Sequence, residues 1–266
     1  MFRMEWLLLL AIIVLGIPAA AWFAQERLIF FPQPVVSTAH LPARATPLEV
    51  AAADGTHLRG WIVKGAVAPA PTVIYFGGNA EEVSWTLSDV RWPREWSIVG
   101  INYRGFGASE GAPGQAALEA DALAIHDAVA RRDDVDPRRI VVFGRSLGTA
   151  IAVHLAAERP DAVVGAVLAS PFDSMTAIGR LHYPWLPVSL LLRHPFDTLD
   201  DAKRNRMPLL AIVGESDSII PPQRSRALYD AWAGPKTWLA IPGADHNDLG
   251  AHEIFWHGVA QFLAER

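Results

Sequence analysis

The sequence predicts an α/β fold built on a mostly parallel sheet with helices on both faces. Three observations predict it. Short, unbroken apolar runs recur at residues 72–76, 97–103, 140–143, 162–169, 208–213 and 237–241. Stretches with helical character separate them, at 116–131, 149–158, 223–232 and 253–264. Finally, 266 residues that are 51% hydrophobic suffice for one large core but not comfortably for two. Strands covered on both faces read as continuous apolar runs, and helices between them make the crossovers that parallel strands require.

The elements follow in chain order. Residues 6–24, WLLLLAIIVLGIPAAAWFA, carry no charge. A helix of that length is about 28 Å long at about 1.5 Å per residue, close to the hydrocarbon thickness of a bilayer. Arg3 precedes the run, while Glu26 and Arg27 nearly cancel after it. The positive-inside rule then places the N-terminus in the cytoplasm and the bulk of the chain outside. The expectation is a retained membrane anchor in residues 1–27. The alternative is a secretory signal cut near Ala21, after small residues of the cleavage type. RLIFFPQP (27–34) reads as an apolar link stiffened by proline, leading into a single domain over 28–266.

Residues 48–63 read as two strands around Asp54-Gly55, a hairpin signal. A Gly-Gly-Asn turn follows the 72–76 run, with a helical stretch expected from Glu81. In 116–131, Leu118, Ala122, Ile125 and Val129 share one helical face. The alternation breaks at about 171–206, where no strand is evident. A structureless loop of that length is unexpected in a compact domain. It reads instead as a small helical cap, with an apolar face from Tyr183, Trp185, Leu186, Leu190, Leu191 and Leu192.

Composition narrows the chemistry. With no cysteine, disulfides, thiolate metal sites and cysteine nucleophiles are excluded. The net charge of −5 is spread as mixed signs, and no basic run suggests nucleic acid. Gly144-Arg145-Ser146-Leu147-Gly148 matches G-x-S-x-G in the context that motif requires: apolar strand, sharp turn, helix. There the turn would strain the serine backbone and expose its hydroxyl, and the Leu147 amide could donate to an oxyanion.

A serine hydroxyl is a poor nucleophile until a base takes its proton. Of nine histidines, His246 stands after the last apolar run and before the last helix, on the same side of the sheet as Ser146. For the carboxylate that orients it, Asp217 leads, in the loop after the next-to-last run. The order Ser, Asp, His is then the one such folds use. Asp173 could also reach the site, whereas Asp245, beside His246, would point elsewhere. The second oxyanion donor is expected from the Gly77-Gly78-Asn79 loop, with the Asn79 amide chosen. Asn79 could also cap the helix that follows.

Taken together, YFGGNAEE, NYRGFGASEG, GRSLG, SPFDS, GESDSIIPP and GADHNDL resemble the α/β-hydrolase superfamily, in particular its small, membrane-anchored, single-domain serine hydrolases. The resemblance runs from about Leu28 to the end. It implies Ser146, Asp217 and His246 as a catalytic triad and the Asn79 and Leu147 amides as the oxyanion hole. It puts Arg104 in a structural role within the Tyr103–Gly107 loop beside the site. Gly78, Tyr103, Trp185 and Leu186 are expected to touch substrate. No metal or organic cofactor is implied. The chain departs from the family where relatives usually carry a supporting histidine and it has Gly77, which puts the rigidity of the oxyanion loop in question.

The expected activity is hydrolysis of an acyl ester or thioester, small or lipid-like. A serine aminopeptidase is the rival enzyme, needing an acidic pocket that Glu110, Asp173 or Glu215 could supply. A membrane-tethered scaffold without catalysis is the rival outside enzymes.

Overall fold

The structure, a computed structural model, describes residues 4–6 and 12–266. An eight-stranded sheet in the order β1-β2-β4-β3-β5-β6-β7-β8 forms its centre. Strands β1 (Ala45–Ala51) and β2 (His57–Val63) are the expected hairpin, and β2 joins β4 (Ser97–Ile101) antiparallel. All remaining pairings, among β3 (Ala70–Phe76), β4, β5 (Val135–Arg145), β6 (Val163–Ala169), β7 (Leu209–Gly214) and β8 (Lys236–Ile241), are parallel.

Every residue of β3, β4 and β7 is buried, as a strand covered on both faces requires. Successive side chains point to opposite faces. Ile74, Phe76, Ile140, Val142, Ala166, Leu168, Leu209 and Ala211 enter one core. There they meet Leu118, Ala122 and Ile125 of α3 (Gln115–Ala130), Ile151 and Leu155 of α4 (Leu147–Glu158), and Leu228 of α8 (Pro222–Ala231). Val73, Tyr75, Val141, Phe143, Val167, Leu210 and Ile212 enter the other. That face is closed by Leu87 of α2 (Ser84–Leu87) and by Phe255, Trp256, Val259 and Phe262 of α9 (Glu253–Ala264).

Register brings five strand ends to one edge. Phe76 pairs with Gly144, Arg145 with Ala169, Ala169 with Ile212, and Gly214 with Ile241. Loops leaving these ends must meet, which is why open parallel sheets place sites there.

Three expectations change in detail. The helix expected from Glu81 shortens to α2. The Val83 amide donates to Asn102 Oδ1 and the Ser84 amide to the Glu82 carboxylate, so regular helix begins only at Ser84. The cap contains α5 (Met175–His182), α6 (Val188–Leu191) and α7 (Leu199–Arg204). Its apolar face is discontinuous, because α6 is one turn long: Leu186, Leu191 and Leu192 are half-buried, whereas Tyr183, Trp185 and Leu190 are exposed.

The third change concerns the apolar N-terminal run, of which residues 7–11 lie outside the described residues. Among those described, no helix is long and apolar enough to cross a membrane. A π-helical turn at Ile12–Gly16 leads into α1 (Ile17–Ile29), whose 13 residues include Gln25, Glu26 and Arg27.

Candidate active site

Ser146 occupies the turn between β5 and α4 with φ 52° and ψ −119°. This is sparsely populated backbone for a non-glycine residue and costs about 1–3 kcal/mol. It persists because neighbouring backbone leaves no alternative. The Ser146 amide donates to Ala169 O at 2.9 Å. A methyl group added to Gly144 would strike the Gly148 backbone, and one added to Gly148 would strike the Phe76 carbonyl. The two glycines thus let β3, β5 and α4 approach closely enough to force the turn.

Three buried side chains from three loops meet there. His246 Nε2 lies 3.0 Å from Ser146 Oγ, and His246 Nδ1 lies 2.9 Å from Asp217 Oδ2. Ser146, Asp217 and His246 are 8%, 3% and 5% exposed. Asp217 Oδ1 accepts the amides of Ile219 and Ile220 at 3.0 and 2.7 Å, and Oδ2 also accepts the Ser170 hydroxyl at 2.7 Å. Burial pushes the Asp217 pKa up, but bonds from His246, Ile220 and Ser170 outweigh it. The pKa therefore lies below the usual aspartate value. An ionised carboxylate only accepts, so the imidazole proton sits on Nδ1. Nε2 is left as an acceptor for the serine hydroxyl.

The rival carboxylates have other partners. Asp173 Oδ2 accepts Arg224 Nη1 at 2.9 Å. Asp245 Oδ1 accepts the Ser218 amide at 3.0 Å and its neighbour's amide, that of His246, at 2.7 Å. It thereby ties the loop after β7 to the loop after β8. Glu110 pairs with Arg59 at 2.9 Å.

The Gly77–Asn79 loop is held by Glu81. Its carboxylate accepts the Gly78 amide at 2.9 Å, the Tyr75 hydroxyl at 2.7 Å, the Thr86 hydroxyl at 2.6 Å and Arg145 Nη1 at 3.2 Å. Arg145 also reaches His246 O and Asn247 Oδ1, at 3.4 and 3.3 Å. One guanidinium thus joins the loop after β3 to the loop after β8. With the Gly78 amide engaged, those of Asn79 and Leu147 donate to no protein acceptor among the described residues. Glu81 answers the question raised by Gly77: a carboxylate four residues later anchors the loop. The signal was present as a polar residue three positions after a turn glycine, reaching back as a capping glutamate does.

An apolar cavity of about 690 Å³ opens over Ser146 and His246, within the usual range for small-molecule sites. Gly78, Trp185 and Leu186 line it. Tyr103 does not, which corrects its expected place against substrate. Its ring is buried and its hydroxyl donates to Gly77 O at 2.8 Å, so it supports the loop from behind. Arg104 is structural: it joins Asp121 of α3 to Asp54 of the hairpin, each at 2.6 Å. Among the cavity-lining residues none is a carboxylate. Sequence reading missed Glu81, Arg145 and Ser170 as parts of this site, and α1 as part of its wall.

Comparisons with known proteins agree with the fold. The alpha/beta hydrolase fold family matches residues 71–193. An uncharacterized protein of Mycobacterium tuberculosis is 36% identical over 97% of this chain and 93% of its own length. An alpha/beta hydrolase domain-containing protein of Arabidopsis thaliana is 31% identical over 95% and 91%. Among solved structures, a Pyrococcus furiosus esterase superposes with a TM-score of 0.69 at 20% identity, covering 89% of this chain and 97% of its own. An acetyl xylan esterase from Thermoanaerobacterium gives 0.65 at 19% identity, covering 84% of each chain. At such identities these two likenesses concern the fold.

Proposed function

The chain belongs to the α/β-hydrolase fold family, and from that premise we propose that it is a serine hydrolase cleaving carboxylic ester or thioester bonds of apolar acyl substrates. The observation that carries the reading is the bonded sequence Ser146, His246, Asp217 on the floor of an apolar cavity.

In this reading Ser146 Oγ attacks the acyl carbonyl and gives its proton to His246 Nε2. Asp217 holds the imidazolium that forms. The Asn79 and Leu147 amides take the tetrahedral oxyanion, a role typically worth about 10²–10³ in rate per donor. His246 then protonates the departing alcohol or thiol. An acyl-enzyme on Ser146 remains, and water activated by His246 releases the acid.

The aminopeptidase alternative is supported less. An amino terminus needs a carboxylate, and Glu110 and Asp173 are already paired, while Glu215 lies outside the cavity lining. A scaffold without catalysis would not need a strained serine in bonding reach of a buried imidazole.

The apolar N-terminal run is proposed as a tether that keeps the catalytic domain at the outer face of a membrane. The uncharged stretch over residues 6–24 and the exposed Trp22 and Phe23 support this. Alkaline extraction and mass measurement of the purified protein separate a retained tether from release after cleavage near Ala21.

The deciding experiment is labelling with a fluorophosphonate alongside hydrolysis of p-nitrophenyl esters. The parent labels and turns over, and Ser146→Ala loses both by several orders of magnitude. A parent that does neither refutes the proposal.

A further inference from the structure

The N-terminal helix contributes to the cavity as well as preceding it. Ala21, Gln25, Leu28 and Ile29 of α1, and Phe31 just beyond, line the same cavity as Ser146 and His246. The spacing 21, 25, 28, 29 is one face of a helix. Phe23, on another face, is 81% exposed and is not part of this lining.

α1 is bonded to the parts it faces. Gln25 is 6% exposed. Its Oε1 accepts the Arg193 amide at 2.7 Å, and its Nε2 donates to Leu191 O at 3.1 Å and Trp22 O at 2.9 Å. Glu26 pairs with Arg193 at 3.2 Å. At the other end, the Phe31 amide donates to Asn79 O and Asn79 Nδ2 donates to Ile29 O, both at 3.0 Å. The helix therefore bridges the cap to the loop that carries the Asn79 amide.

The wall it makes is apolar in effect. Both Nε2 protons of Gln25 are spent on carbonyls, so it offers the cavity no donor. Opposite stand Met175, Ile178, Val188, Leu191 and Leu192 of the cap. The polar side chains of the lining are Asn79, Arg145, Ser146, His246 and Asn247 of the strand-end loops, with His182 and Tyr183 of the cap besides Gln25.

We propose that α1 is a wall of the acyl site: a medium- to long-chain fatty acyl group lies between α1 and the cap with its carbonyl at Ser146, and residues 21 and 28 help set the chain length accepted. This rests on the serine-hydrolase reading above and adds the acyl class and the element that selects it. It also gives the helix a part in specificity that a simple tether would not have.

The test uses the full chain in one detergent, with p-nitrophenyl esters from butanoyl to myristoyl. Ala21→Trp fills the wall from within. One methylene in an apolar pocket changes kcat/KM about tenfold or more. The ratio of kcat/KM for decanoyl over butanoyl ester should therefore fall at least tenfold. Leu28→Trp, at a position 61% exposed and so safe for folding, should lower the same ratio and decides the matter if Ala21→Trp does not fold. Phe23→Ser, on the outward face, should keep the parent's ratio. Ratios within twofold of the parent in the folded variants, with fluorophosphonate labelling intact, overturn the proposal. A parent that neither labels nor hydrolyses any ester refutes the serine-hydrolase reading instead, and that result is recognisable before any variant is made.

Discussion

Replacing Glu81 by alanine tests whether the oxyanion loop is rigid because one carboxylate holds it. Four donors converge on that group: the Gly78 amide, the Tyr75 and Thr86 hydroxyls, and Arg145. Thr86 and Arg145 are partly exposed and can turn to water. Gly78 and Tyr75 are buried, and a buried donor left unpaired costs about 1–3 kcal/mol. A second cavity, lined by Tyr75, Glu81, Thr86 and Arg145, gives water a way toward the tyrosine hydroxyl. That argues for the lower half of the range, about 2–4 kcal/mol for the two together. Urea unfolding would read this as a lower midpoint with an unchanged slope.

The kinetic consequence is separable. Once freed, the Gly78 amide no longer fixes the next residue, so the Asn79 amide loses its aim. The loss should approach that of deleting one oxyanion donor, about 10²-fold in kcat, with KM changed far less. Glu81→Gln keeps an acceptor for Gly78 but loses the charge facing Arg145, and should fall between the parent and the alanine variant. A folded Glu81→Ala protein with kcat within threefold of the parent would refute the reasoning, whatever its stability.

Three other outcomes follow from the same geometry. Asp217→Asn should lower kcat about 10⁴-fold by disturbing the imidazole tautomer. Because the folded pKa of Asp217 is lowered, its stabilising contribution is present above the ordinary aspartate value of about 4 and is lost as pH falls through the lowered one. The gap in melting temperature between parent and variant should therefore close only below the ordinary aspartate value. Gly148→Ala would drive a methyl into the Phe76 carbonyl, and should give either insoluble protein or a folded one with displaced Leu147 and greatly reduced labelling, by circular dichroism and fluorophosphonate assay. His154 of α4 bonds Asp201 of α7 at 2.9 Å, and that bond raises its pKa. A raised histidine stabilises below its unfolded value of about 6.5 and loses that contribution as pH rises through the folded one. His154→Gln should thus cost about 0.5–1 kcal/mol, or about 2 °C, at pH 5.5 and much less at pH 9.

What the sequence made legible is what a strand end makes legible. Ser146, Asp217 and His246 each follow a short apolar run, and parallel strands must deliver their following loops to one edge. What it hid is polar residues whose partners are distant in the chain. Glu81 and Arg145 are 64 residues apart, and Gln25 and Arg193 are 168 apart. Arg145, Gln25 and Arg193 stand beside apolar runs with no local pattern to name a distant partner, whereas Glu81 has one local mark, its place three residues after Gly78. Tyr103 fails differently. The resemblance put its loop beside the site, but loop position does not say which way a ring turns, and a buried hydroxyl goes where a carbonyl awaits it.

The distribution of these hidden bonds bears on how such a fold can vary its substrate without losing its chemistry. The strained serine depends on backbone packing between β3, β5 and α4, and on the Ala169 carbonyl, all parts of the buried sheet and the helix that follows β5. The imidazole and its carboxylate are fixed by loop amides and by Ser170, next to that sheet. The cavity over Ser146 is walled instead by α1 and the cap, joined to each other through Gln25 and Arg193, outside the two sheet cores apart from a few residues such as Ile29, Ile178 and Phe172. Substitutions at Ala21, Leu28 or Leu191 can therefore reshape what is bound at little cost to the turn that holds the nucleophile. Asn79 is the point where the two systems touch. Its amide donates to no protein acceptor among the described residues, while its carbonyl and side chain bind the end of α1. These two bonds hold the end of α1 against the loop that carries the Asn79 amide, so the cavity wall and that loop share one residue.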